Sequence, residues 1–172
     1  MRTMFGQITT EHLSLRAFSS TDEIVVADWL RNDEHARHEL GGAGFISGVA
    51  QDTADQAHVR GWVLCDERDY PLAAVVIEYV SDPTAELFVI VAADKRRCGH
   101  GRDTVKRVLA QDIGVAQVLA DVHEENGSSV RLLHACGFTI GPPDATGFQT
   151  AVWTPADTAA SGPHLESRDD HQ

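Results

Sequence analysis

Positive charge is scarce in this chain: 14 Lys and Arg stand against 26 Asp and Glu, a formal net charge of -12 over 172 residues. Binding a nucleic-acid backbone requires Lys and Arg against its phosphates, so this balance argues against a general nucleic-acid binder. Cysteine is scarce as well. Cys65, Cys98 and Cys136 are odd in number and lack C-x-x-C spacing. That speaks against a disulfide framework or a cysteine zinc site and reads as reduced thiols in the cytoplasm. No apolar run approaches the roughly 20 residues of a membrane span. No basic stretch followed by an apolar segment marks a secretory signal near Met1. The expectation is a cytoplasmic protein with neither membrane nor nucleic acid as partner, and with room for a homodimer.

The remaining composition is that of a globular protein, 42% hydrophobic and 23% charged. Residues 1–154 suit one domain with a sizeable core. Residues 155–172 hold one large aliphatic residue, two prolines and many small or charged ones, and are expected to be a disordered polar tail. Without them 22 acids still face 13 bases. An acidic surface concentrates cationic ligands.

The elements alternate. Residues 12–18 switch between apolar and polar, as a strand does. Ser20-Thr21-Asp22-Glu23 reads as a helix cap with acids in the first turn, and Ile24, Ala27 and Leu30 give that helix an apolar face. Residues 33–60 are Gly-, His- and Asp-rich with weak periodicity, and predict a short helix and a long substrate-facing loop. Strands are predicted at 62–65, 72–80 and 86–92, separated by turns at 67–71 and 81–84. A helix over 101–113, a strand at 117–123, a helix at 128–135 and a closing strand at 146–153 complete an α/β chain.

Six of the 14 basic residues fall between 95 and 107: Lys95, Arg96, Arg97, Arg102, Lys106 and Arg107. They surround Gly99 and Gly101, at the joint between a buried strand and an amphipathic helix. Unpaired N–H groups and the dipole at a helix N-terminus attract anions, and glycine lets the backbone approach a phosphate. The segment Arg96-Arg97-Cys98-Gly99-His100-Gly101 therefore reads as a phosphate cradle. It is no P-loop, because G-x-x-x-x-G-K-S/T is absent. Thr104 replaces the third glycine of the dinucleotide fingerprint.

Arg96-x-x-Gly99-x-Gly101, following Val89-Ile90-Val91, resembles the coenzyme A motif of the GNAT acetyltransferase superfamily. Asn126-Gly127-Ser128-Ser129 through Gly137-Phe138 resembles its second motif, in the same order and at the usual spacing. With Trp29-Leu30-Arg31-Asn32-Asp33 the resemblance covers about residues 12–153. It implies an α/β fold: a mixed, mostly antiparallel sheet with a V-shaped splay between the fourth and fifth strands and helices on both faces. It also implies acetyl-CoA as cofactor. The amides of Arg97, Cys98, Gly99, His100, Gly101 and Arg102 would hold the pyrophosphate, and Val89–Val91 would pair with the pantetheine arm. Asn126 and Ser129 would contact that arm, Asn126 also serving as a helix cap. Two positions depart from the pattern. Arg97 stands where a glycine is common, and Leu133 stands where many relatives carry a Tyr that protonates the departing thiolate.

Amine acetylation requires a neutral amine, whose pKa when free is near 10, and therefore a base. Glu78 and Glu86, on otherwise apolar strands beside the cleft, are the candidates, since apolar surroundings raise a carboxylate toward useful basicity. Direct attack in a ternary complex is expected. Cys98 lies in the phosphate loop and Cys136 beside Gly137 and Phe138, so neither suits an acyl-cysteine. His35, His38 and His58 lack the spacing of a metal site, and no metal is expected. The resemblance is to the branch holding aminoglycoside and ribosomal-protein N-terminal acetyltransferases. Asp33, Glu34 and Glu39 would suit a small cationic amine, with an aminoglycoside-type antibiotic as first candidate. A protein N-terminus and a non-catalytic CoA-binding module are the alternatives.

Overall fold

A computed structural model describes residues 12–40 and 42–155; the expected tail, from residue 156 on, lies outside them. The elements run β1 (Ser14–Ala17), α1 (Ser20–Asn32), α2 (Glu34–Leu40), α3 (Val49–Ala54), β2 (Val59–Cys65), β3 (Pro71–Ser81) and β4 (Thr84–Val91). They continue with α4 (His100–Leu109), β5 (Gln117–His123), α5 (Gly127–Ala135), β6 (Thr139–Ile140) and β7 (Phe148–Trp153). One seven-stranded sheet has the order β1-β2-β3-β4-β5-β7-β6. Every pairing is antiparallel except β4 with β5.

β3 is apolar without alternation because both faces of the sheet are covered there; Pro71 to Ile77 are all buried. On one face Val75, Ile77, Leu87 and Val118 pack with Val105 and Val108 of α4 and Leu133 of α5. On the other, Val63, Val76 and Ile90 meet Val26 and Leu30 of α1, Ile46, and Val49 of α3. Each fully buried Val, Leu or Ile stabilises the fold by about 1.5–3 kcal/mol.

The parallel pair is short. β4 and β5 share three rungs, Thr84 with Gln117, Ala85 with Val118 and Glu86 with Leu119. β3 follows β4 as far as Val91, and β7 follows β5 as far as His123. Beyond Glu86 and Leu119 the sheet therefore splits into two halves, which is the expected splay.

Several local expectations shift. The residue before α1 is Ser19, one earlier than expected, and Asp22 reaches back to it, accepting from Ser19 N–H at 2.7 Å and Ser19 Oγ at 2.6 Å. The face of α1 also rotates: Val26 is buried, whereas Ile24 is 72% exposed. Residues 33–60 are mostly helical rather than a long loop, with α2, a 3-10 turn at Ala43–Ile46, and α3. β6 was not anticipated, since two residues carry no periodicity, and α4 stops at Leu109 rather than residue 113.

Asp22, 1% exposed, is paired with Arg16 at 2.7 Å. Burial pushes its carboxyl up, but the hydrogen bonds from Arg16 and Ser19 together outweigh burial and hold it below the usual range. A depressed carboxyl contributes stability above its unfolded pKa and loses it as pH falls through the folded one. Asp22→Ala leaves Arg16 without this partner and is expected to lower unfolding stability by about 3 kcal/mol near neutral pH. Denaturant titration checks this, and the deficit should shrink below the ordinary Asp range.

Candidate active site

The phosphate loop folds as its glycines require. Gly99 precedes α4 with φ +82°, and Arg97 has φ +63°. Both lie in the left-handed region, easy for glycine and strained for arginine, so the departure from glycine at Arg97 has a real backbone cost. The first bond of α4 runs from Asp103 N–H to the Gly99 carbonyl at 2.9 Å. The N–H groups of His100, Gly101 and Arg102 therefore precede the helical ladder. A Cβ on Gly101 would sit 2.8 Å from Leu132 Cδ1 and 3.0 Å from Val91 Cγ2. Any larger residue there would make Leu132 and Val91 shift, so glycine favours this close approach of α4 to β4. Cys98, Gly99, His100, Arg102 and Lys106 line an open cavity of about 770 Å³ outside the loop.

The far arm of the splay carries the second motif. Asn126 caps α5, its Oδ1 accepting from Ser129 N–H at 3.2 Å. The cap role holds, and it leaves the Asn126 amide nitrogen for another partner. That partner is Glu39, whose two carboxylate oxygens each lie 3.1 Å from Nδ2. Arg96 is likewise engaged, in an ion pair with Asp33. Two of the three acids expected to face the acceptor thus bind two residues expected to face the cofactor. Glu34 stands exposed on α2.

Glu78 and Glu86 are direct cross-strand partners, so they share a face of the sheet. Glu86 also forms the last rung before the split. The register places Asp121, two residues beyond Leu119, on that same face. Burial raises the Glu86 carboxyl above its ordinary value, and the charges of Asp121 and Glu78 add to the rise. Phe88 follows two residues on, with Phe45 edge-on at 4.7 Å. Asp121 escaped the sequence reading, although an acid in the middle of Val118-Leu119-Ala120-Asp121-Val122 was the signal for it.

Leu133 is buried among the core residues over the sheet, 3% exposed, whereas His134 is exposed. Neither offers a proton donor to the cleft. Burial raises the Cys136 thiol, a poor state for a nucleophile, and Cys98 is exposed with Sγ 3.6 Å from the Arg96 carbonyl. Among the described residues no three His, Cys, Asp or Glu side chains gather as metal ligands. No described helix is long and apolar enough to cross a membrane.

No protein-family model matches the chain, and no curated protein sequence does. Solved structures do. A spermidine N-acetyltransferase from Vibrio cholerae, in complex with CoA and spermine, superposes with a TM-score of 0.67 at 17% identity, over 83% of this chain and 95% of that one. An aminoglycoside acetyltransferase in complex with coenzyme A gives 0.64 at 17% identity, over 83% and 94%. A domain from Methanocaldococcus jannaschii gives 0.63 at 14% identity, over 84% and 99%. The meander, the three-rung parallel pair and the glycine loop opening α4 are thus held in the fold of the GNAT N-acetyltransferases.

Proposed function

We propose that this chain transfers the acetyl group of acetyl-CoA to a primary amine of a small cationic acceptor. The observation that carries the reading is the coincidence of three features in one cleft. A glycine cradle with helix N–H groups ends one arm of the splay, β4 lines it, and a carboxylate with raised pKa sits at its base.

The residues present fit the cofactor. The N–H groups from Arg97 to Arg102 would hold its pyrophosphate, with the surrounding cations offsetting the charge. Backbone groups of Leu87 to Val91 on the β5 side have no strand opposite them among the described residues, and would pair with the pantetheine arm. Acetyl-CoA supplies the activated acyl group. Glu86, directly or through one water, takes the proton that an ammonium must lose to become a nucleophile. Val91 N–H is the candidate donor to the developing oxyanion. With Cys136 buried and Cys98 in the loop, acyl transfer proceeds within a ternary complex. Among the described residues neither Leu133 nor His134 supplies the proton that a Tyr gives in many relatives, so the proton reaches the thiolate through water.

The acceptor is read as a small polycation because Glu78, Glu86 and Asp121 gather on one sheet face beside the cleft, in a chain already acidic overall. Polyamines and aminoglycosides both meet that description, and the V. cholerae relative was solved with spermine. A thiol-release screen with acetyl-CoA and a panel of polyamines, aminoglycosides and short peptides tests this. Turnover on the first two classes is expected. Activity confined to peptides overturns the acceptor reading, and CoA binding without thiol release on any amine overturns the enzyme reading.

Two variants test the residues. Gly99→Glu brings a carboxylate and a Cβ into the left-handed turn; it should weaken CoA binding at least about tenfold, ~1.4 kcal/mol, by calorimetry, while circular dichroism stays unchanged. Glu86 is a base only when deprotonated, so the rate should fall as pH drops through its pKa, which burial raises above the ordinary Glu value. Glu86→Gln should lower kcat about 100-fold and remove that acidic limb from the pH profile.

A further inference from the structure

α2 lies across the mouth of the splay and is tied at both ends. Asp33, at its start, is ion-paired with Arg96 beyond β4. Glu39, in its last turn, holds the Asn126 amide beyond β5 through both oxygens at 3.1 Å. Six residues of helix rise about 9 Å, so one short rigid segment bridges the two arms that the sheet leaves apart. Asp33 also caps the helix, its Oδ1 accepting from Ala36 N–H at 3.2 Å. Of the other described side chains of α2, Ala36 and Leu40 are partly buried against the core, and Glu34 and Arg37 are exposed. A seven-residue helix is too short to persist without tertiary contacts, so the two acid anchors carry much of its placement.

The chemistry of those anchors is specific. A guanidinium turned to the Asp33 carboxylate and one turned to a phosphate are alternative pairings of the same group. Asn126 commits Oδ1 to the Ser129 N–H, so its amide nitrogen is the hand left to meet a carbonyl of the cofactor arm, and Glu39 holds it. Arg96 opens the segment that reads as the phosphate cradle, and Asn126 is a residue that the GNAT resemblance sets against the pantetheine arm.

We propose that α2 is an acid latch on the cofactor cleft, in which Asp33 and Glu39 compete with acetyl-CoA for Arg96 and Asn126, so that cofactor binding releases the helix. The inference rests on the acetyl-CoA reading. A strap that merely closes over bound cofactor would be ordered by it; a latch that competes with cofactor is loosened by it. The two have opposite signs in one measurement.

Hydrogen–deuterium exchange of the whole chain, with and without saturating CoA, reads that sign. Amides of residues 34–40 should exchange at least about fivefold faster with CoA. Calorimetry supplies the second arm: the double variant D33A/E39A should bind CoA at least about fivefold more tightly than the parent. Should that pair not unfold cooperatively, D33N/E39Q, which keeps the shapes and removes both charges, is held to the same criterion. Exchange that is slower or unchanged, or affinity that is unchanged or weaker, overturns the latch. A parent chain that binds no CoA at all is a distinct result, overturning the acetyl-CoA reading and the latch with it.

Discussion

Three rungs between β4 and β5 are the constraint on which the cleft depends. Thr84, Ala85 and Glu86 find partners on β5; Leu87 to Val91 do not. Had the parallel pairing run on, the strands would satisfy one another and leave no cleft. Had it been shorter, the two halves of the sheet would be joined mainly through α4. The core is arranged around this compromise, with Leu87, Val118 and Val122 on both sides of the split sharing the same helices above them.

Electrostatics gives the cleft its second organising feature. An acidic chain has clustered six of its 14 cations just before and along α4 and set acids on the sheet face at the base of the split. Like charges directly opposite on neighbouring strands destabilise a sheet, yet Glu78 and Glu86 occupy such a pair. A fold selected for stability alone has no reason to keep it. A cation held between them would remove the repulsion, so the feature that weakens the sheet is the one that suits the proposed acceptor.

Much of this was legible in the sequence, for identifiable reasons. β5 was readable to the residue because the mostly apolar run from Val118 to Val122 stands between Gly114 and Asn126-Gly127, and the glycine joint was readable because cations cluster there against the overall charge. The partners of Asp33 and Glu39 were not. These acids looked like acceptor ligands because local sequence reports charge but not what lies across the cleft, 63 residues away for Arg96 and 87 for Asn126. Asp121 was missed for a related reason: its neighbours on the sheet face come from β4 and β7, and only the register brings them together. Ile24 was misplaced because α1 pairs apolar residues at two spacings, and tertiary packing selected Val26.

The bare flank of β4 also bears on how the molecule avoids its own kind. An unpaired strand edge is ordinarily a template for aggregation, and proteins blunt such edges with charges, bulges or coverings. This edge opens inward, walled by β5 on one side and bridged by α2 at its mouth. A single extended chain can add to a sheet edge, but here it would have to enter between the two arms, past α2. The edge thus faces a cleft rather than a neighbouring molecule, and what pairs with it must first fit that cleft.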